Sequence, residues 1–153
     1  MTKTALFDHI THESVQNILG KFEGKISQVP PLFSAIRKNG KRLYEQARQG
    51  ATVEDIDIEP RQVEVYNIEY IPNELPSFDL SVECGGGTYI RSLIRDIGYE
   101  LNSVATMTKL VRTRQGPFQL EDAISREDWT PETIYAAIDK NNMRLSLEAE
   151  IDD

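Results

Sequence analysis

Cysteine is almost missing from this sequence: Cys84 stands alone among 153 residues, which excludes an intrachain disulfide and a thiolate metal cluster. A reducing, intracellular compartment follows. Long apolar runs are missing as well; nothing approaches the ~20 residues needed to cross a bilayer, so no membrane partner is expected. The N-terminus lacks the charged-then-apolar pattern of a secretory signal, which leaves cytoplasm, nucleus and mitochondrion open. There are no internal repeats and no low-complexity tracts. The length suits one domain, large enough to bury ~70% of its unfolded surface. Positive charge is in deficit, with 17 Lys and Arg against 25 Asp and Glu and a net charge of −8. On whole-chain balance that disfavours a nucleic-acid partner, because phosphate repels such a field.

The deficit is uneven. From Lys21 to Arg48 there are seven basic residues (Lys21, Lys25, Arg37, Lys38, Lys41, Arg42, Arg48) against two acids, Glu23 and Glu45. From Leu101 to Leu120, Lys109, Arg112 and Arg114 stand with no acid at all. The acids concentrate in Glu54 to Glu83 and after Glu121. This pattern fits either a basic face on an acidic body, as in an RNA binder, or a solvated charge mosaic.

Residues Thr11 to Phe22 read as a helix with Thr11 as N-cap and Val15, Ile18, Leu19 and Phe22 at helical spacing. Pro30 and Pro31 make Gln28 to Lys38 an extended edge or loop, Asn39-Gly40 a tight turn, and Leu43 to Arg48 a short helix closed by Gly50. From Arg61 to Ile71 the apolar phase shifts between Val63, Val65 and Tyr66, Ile68, Tyr70, which predicts a bulged strand. Phe78, Leu80, Val82 and Cys84 alternate as its antiparallel neighbour, and Cys84 reads as a small buried hydrophobe. Ile90, Leu93, Ile94, Ile97 and Leu101 form a regular helical stripe. Thr106, Thr108, Leu110 and Arg112 suggest one face of a further strand. Thr130-Pro131 opens a last helix to about Asp139. The expected fold class is α+β, a mixed, mainly antiparallel sheet with packed helices over residues 1–140. Residues 141–153 read as an acidic, disordered tail.

The stretch most suited to chemistry is Gly85 to Arg91, GGGTYIR, where a strand gives way to a helix. Glycines permit close backbone approach, and Thr88 as a helix cap would leave backbone N–H groups facing an anion. A tight turn without a ligand fits the same residues. Arg91 opposes the helix dipole and so calls for a nearby carboxylate or phosphate, or else a head in water. Tyr89 is either part of a site or a core-edge aromatic.

Four strings in order, FEGKISQVPPLFSAIRKNGKRLYEQARQG (from Phe22), EPRQVEVYNIEYI, VECGGGTYIRSLIRDIG and KLVRTRQGPF, resemble the TruB family of RNA pseudouridine synthases. The likeness is greatest to its eukaryotic branch and runs from about Leu6 to Ile138. It implies part of a pseudouridine synthase catalytic domain that isomerises uridine 55 in the T-arm of tRNA, with similar stem-loops in messenger RNA as further partners. It implies no metal and no organic cofactor. The family's Gly-Thr-Tyr-Ile-Arg motif falls on Gly87, Thr88, Tyr89, Ile90 and Arg91. By resemblance Tyr89 lies against the target base as a candidate proton acceptor, and Arg91 pairs with the catalytic aspartate. The family's active-site leucine falls on Leu110 and the following arginine on Arg112. Its Pro-x-x-Ser-Ala-x-Lys stretch falls on Pro31, Ser34, Ala35 and Arg37, with arginine in place of lysine. Lys38, Lys41, Arg42, Tyr44 and Arg48 continue the basic RNA-binding surface.

The chain departs from the family where chemistry begins. The catalytic aspartate belongs to a Gly-x-Leu-Asp motif, followed by a second motif with a base-stacking tyrosine, and neither is present. None of the ten aspartates has that context; Asp96 reads as a residue fixing its helix to the surroundings. The chain alone is therefore expected to be inactive. An incomplete chain, a non-catalytic RNA-binding protein and one half of a split enzyme all fit. Loss of the first half of an interleaved sheet is expected to expose Val63, Val65, Phe78, Leu80 and Val82 and to favour association.

Overall fold

The computed structural model describes residues 3–52 and 55–151, with side chains through Asn142. It is an α+β structure, as the sequence suggests. Its contacts divide it into two compact units, Met1–Thr108 and Lys109–Asp153, where the sequence suggested one domain through residue 140.

The first unit opens with α1 (His12–Leu19), capped as predicted. The Thr11 hydroxyl accepts the Ser14 N–H at 3.1 Å and the Ser14 hydroxyl accepts the Thr11 N–H at 2.9 Å, which satisfies two otherwise orphan donors reciprocally. A 3₁₀ turn over Gly20–Phe22 leads into β1 (Gly24–Gln28), a strand that apolar alternation does not announce. The loop through Pro30 and Pro31 reaches β2 (Arg37–Lys38) and β3 (Lys41–Arg42), joined by Asn39 and Gly40 at φ of 54° and 79°. Both positive values suit a two-residue hairpin turn. Next comes α2 (Leu43–Arg48), whose Leu43 is fully buried.

The sheet is completed by β4 (Arg61–Ile71) and β5 (Asp79–Cys84), with β4 in the middle and both neighbours antiparallel to it. The phase shift in β4 is a bulge: Val65 faces Cys84 and Asn67 faces Glu83, leaving Tyr66 as the extra residue. Tyr66 is exposed, and the buried face resumes at Ile68. After the glycines comes α3 (Ile90–Glu100).

Val15 and Leu19 of α1, Val65 and Ile68 of β4, and Leu93, Ile97 and Leu101 form the core, with Phe78, Leu80, Val82 and Cys84 packed against it. This corrects the expectation of an uncovered sheet. Val63 and Val65 are buried, and helical side chains from α1 and α3 cover the face that carries Val65. Full burial of a side chain such as Leu93 is worth ~1.5–3 kcal/mol. Tyr70 joins α1 to β4 through a 2.5 Å hydrogen bond between its hydroxyl and His12 Nδ1. Burial pushes the Tyr70 phenol up.

At the far end of α3, Asn102 adopts a φ of 53° and the Ser103 N–H returns to the Gly98 carbonyl at 2.9 Å. This fold-back explains Gly98. A Cβ there would overlap the Ala105 backbone nitrogen and lie 2.9 Å from the Ala105 Cβ.

In the second unit β6 (Arg114–Gln115) and β7 (Phe118–Gln119) form a hairpin around Gly116, at a φ of 57°. There α4 (Pro131–Ile151) starts as predicted, with the Thr133 N–H on the Thr130 hydroxyl at 3.3 Å. Two expectations are corrected. Residues 104–113 form no ladder among the described residues, so the strand suggested for Thr106 to Arg112 is absent: alternation marks a face but supplies no neighbouring strand. Helix α4 also continues past Asp139 to Ile151, because no Gly or Pro follows Pro131 and Leu, Ala, Met and Glu sustain the helix. The tail beyond Asn141 is thus helical backbone to Ile151; residues 152–153 lie outside the described ones.

Replacing a helical glycine by alanine ordinarily stabilises by up to ~1 kcal/mol. Gly98→Ala is expected instead to destabilise by ~1–3 kcal/mol through overpacking. Gly20→Ala, whose Cβ would meet nothing within 4 Å, is expected to be neutral or stabilising. Urea unfolding of both variants checks this, and a Gly98→Ala protein as stable as its parent would refute the packing claim.

Candidate functional site

The segment from Gln28 to Ile36 lies as a strap across the start of α3. Gln28 is buried at the end of β1, on the same face as Ile26, and its Oε1 accepts the Tyr89 N–H at 2.8 Å. The Val29 carbonyl accepts the Ser92 hydroxyl at 2.8 Å and Arg95 Nη2 at 3.1 Å. The Phe33 carbonyl accepts Arg91 Nη2 at 2.8 Å. Pro30 and Pro31 suit such a strap, since a residue without an N–H leaves no donor to satisfy. Donors that a helix start and its side chains would otherwise hold out to solvent are therefore met by another part of the chain.

This changes the sequence-based picture of GGGTYIR. Thr88 does not cap the helix: its hydroxyl turns back to the Gly85 carbonyl at 2.9 Å, and Tyr89 occupies the N-cap position without a side-chain cap. The Tyr89 N–H is held by Gln28, so it is not available to an incoming anion. The turn itself needs glycine at Gly87, which has a φ of 86°; a Cβ on Gly85 would come within 3.1 Å of the Tyr66 hydroxyl, the tip of an exposed side chain.

Tyr89 is half-buried, and its hydroxyl has no hydrogen-bond partner among the described residues. The exposed Arg91 makes no ion pair among the described residues. A single N–H of its guanidinium is committed, to Phe33, and four of its five donors remain for a carboxylate or phosphate. Asp96 pairs with Arg95, at 2.7 Å from Nε and 3.1 Å from Nη2. The tether from α3 to the strap at Val29 is made by Arg95, while the bonds of Asp96 among the described residues stay within its own helix.

The strap leads directly into the basic hairpin. The Tyr44 N–H bonds the Ser34 carbonyl at 3.1 Å and the Leu43 N–H bonds the Ile36 carbonyl at 2.8 Å, fixing α2 to the strap. Ser34 is buried and its hydroxyl has no partner among the described residues. In the hairpin Arg37 stands opposite Arg42 and Lys38 opposite Lys41, two like-charge cross-strand pairs that repel. Lys38 has a partial counterion in Asp57 at 3.5 Å; among the described residues Arg37, Lys41, Arg42 and Arg48 have none. The Arg42 and Arg48 guanidinium carbons lie 5.8 Å and 5.4 Å from the centre of the Tyr44 ring, within cation–π range. The result is a positive surface, under-neutralised among the described residues, that continues into the strap over Tyr89 and Arg91.

Leu110 and Arg112 belong to the second unit. Leu110 is exposed, and the Arg112 guanidinium donates to the Gln115 side-chain oxygen. The structure thus gathers Ser34, the basic hairpin, α2, Gly87, Thr88, Tyr89 and Arg91 on one unit. Sequence reasoning missed Gln28, Val29, Ser92 and Arg95. None left a signal in the sequence: Gln28 falls on the buried parity of β1, where a partner is required, but apolar alternation does not announce that strand. Among the described residues no cluster of His, Cys, Asp and Glu is arranged to hold a metal ion, and no helix is long and apolar enough to cross a membrane.

Comparison with known proteins places this geometry. The family model described as TruB family pseudouridylate synthase (N terminal domain) matches residues 1–90, and that of the tRNA pseudouridylate synthase B C-terminal domain matches residues 91–147. Pseudouridylate synthase TRUB1 of Homo sapiens is 46% identical over 140 residues, 91% of this chain and 40% of that protein. The tRNA pseudouridine synthase B of Clostridium perfringens (strain SM101 / Type A) is 45% identical over 145 residues, 94% of this chain and 46% of that protein. The chain therefore spans less than half the length of these two relatives. A chain in the crystal structure of a Cbf5-Nop10-Gar1 complex superposes with a TM-score of 0.61 at 32% identity, covering 82% of this chain and 32% of that one. Two family models that abut at residue 91, together with a shared fold, give one conclusion: the chain belongs to the TruB family of pseudouridylate synthases.

Proposed function

We propose that this chain is the RNA-contacting part of a tRNA pseudouridine synthase that acts on uridine 55 of the T-arm, and that by itself it binds the stem-loop without converting it. One observation carries the reading: the strap from Gln28 to Ile36 physically joins Tyr89 and Arg91 to the under-neutralised hairpin and α2. A ribose-phosphate strand lying on Arg37, Lys41, Arg42 and Arg48 would be delivered to the start of α3. Its phosphates supply the counterions that the hairpin lacks, and release of condensed cations drives binding. Shape recognition of the folded loop then sets the register.

The target uridine leaves its stack, which costs a few kcal/mol, and enters a pocket that includes the Tyr89 ring. There the bond between C1′ and N1 breaks, the uracil turns, and C1′ bonds to C5. In this reading C5 gives up its proton by way of the Tyr89 hydroxyl, and N1, freed from C1′, takes one up from water, so the isomerisation is neutral in protons. Arg91 holds the carboxylate that promotes the glycosidic step. In this reading that carboxylate is the aspartate of the Gly-x-Leu-Asp motif absent from this sequence; among the described residues Arg91 meets the Phe33 carbonyl and no carboxylate. The same observation supports the second reading, a non-catalytic RNA-binding protein.

A T-arm stem-loop is expected to bind with strong salt dependence and to yield no pseudouridine. Product from the chain alone would overturn the inactivity, and absence of binding at low salt would overturn the RNA reading. Replacing Arg37, Lys41 and Arg42 by Gln is expected to weaken binding and to lower the slope of log K against log salt by about 0.7–0.9 for each lost phosphate contact; an unchanged slope would place the RNA elsewhere. In a protein joining this chain to an aspartate-bearing segment, Tyr89→Phe is expected to slow turnover about 100-fold or more while leaving RNA affinity intact. Unchanged turnover would remove Tyr89 from proton transfer.

A further inference from the structure

Of the hydrogen bonds that hold the strap to α3, those at Val29 and Phe33 are accepted by backbone carbonyls. Any residue at those positions would offer the same acceptor. The bond to Tyr89 differs, because its acceptor is the side chain of Gln28. That side chain is 2% exposed, and its Nε2 has no partner among the described residues. A buried amide donor left unsatisfied is unfavourable. Leucine or methionine would fill the same space at the end of β1 without that penalty. What glutamine supplies and they cannot is an acceptor oxygen 2.8 Å from the Tyr89 nitrogen. The bond spans 61 residues of sequence and reaches the N-cap position of α3, where no local side chain caps the helix.

We propose that Gln28 is a positioning residue, whose amide oxygen fixes the backbone of Tyr89 and so confines the phenol ring to one orientation at the start of α3. The inference rests on the reading of Tyr89 as the residue that meets the base. Gln28 touches no substrate atom in this scheme. It acts through the backbone at which the Tyr89 side chain begins, and β1, held to β4 over five residue pairs, anchors it.

Two substitutions separate positioning from bulk. Gln28→Met keeps the length and removes the acceptor, whereas Gln28→Glu keeps an acceptor oxygen in either protonation state. Each chain is followed by amide exchange and side-chain couplings of Tyr89 in NMR, with Leu93 and Ile97 amides reporting the core. Each is also photo-crosslinked to a T-arm stem-loop carrying 5-iodouridine at the target position. In Gln28→Met the Tyr89 amide is expected to exchange about tenfold faster, with averaging of the ring over rotamers and a severalfold lower crosslink at Tyr89. Stem-loop affinity and core protection stay as in the parent, and Gln28→Glu restores the rotamer and the crosslink. A folded Gln28→Met chain that retains a single Tyr89 rotamer and the parent's crosslink overturns the proposal. If Gln28→Met loses core protection, Gln28→Glu decides: a native rotamer supports the proposal, and an averaged ring in a folded chain overturns it. If the parent binds RNA but does not crosslink at Tyr89, the base-facing reading fails, and the rotamer measurement alone judges Gln28.

Discussion

The site depends on a problem at every helix start: backbone N–H groups with no partner in their own helix. A side-chain cap solves it within a few residues. At α3 the cap position is occupied by Tyr89, which cannot cap, and one of those donors, the Tyr89 N–H, is met instead by Gln28 of the strap. The other donors that the strap meets are side-chain groups of Arg91, Ser92 and Arg95, so its acceptors also hold those side chains in place. The hairpin and α2 inherit their placement from the same strap, through Ser34 and Ile36.

Local chemistry made much of the fold legible. Thr11 announces α1, Asn39-Gly40 the hairpin, and the change of phase around Tyr66 a bulge, because each feature is decided by residues a few positions apart. What stayed hidden depends on distant partners. β1 reads as polar, since its Lys25 and Ser27 face solvent and the Oε1 of its Gln28 finds its partner 61 residues away, at Tyr89. The strand expected at Thr106 to Arg112 fails for the opposite reason: its alternation is real, but the described chain brings it no ladder. For the candidate site, the identities of Tyr89 and Arg91 came from the resemblance, and their gathering with Ser34 and the hairpin is visible in the structure. The surroundings differ from expectation. Thr88 turns back to Gly85, and Arg91 has a carbonyl where a carboxylate was anticipated, because neither contact is encoded in the seven residues around it.

The relation between this chain and its relatives is one of part to whole in length, 40% and 46% of the two proteins named above. The first unit nonetheless closes a core of its own between α1, α3 and the sheet. Folding of that unit and chemistry at its surface are therefore separable: Val65, Leu93 and Ile97 are buried whether or not Arg91 has a counterion.

The hairpin carries a consequence for ionic strength that runs in two directions. With Arg37 facing Arg42 and Lys38 facing Lys41, the unbound hairpin works against its own charge, and dissolved salt relieves that repulsion. The same salt weakens attraction to a phosphate strand. Raising it should therefore order the free hairpin while loosening its hold on RNA, so local order and affinity, which rise together at most binding sites, here trade against each other.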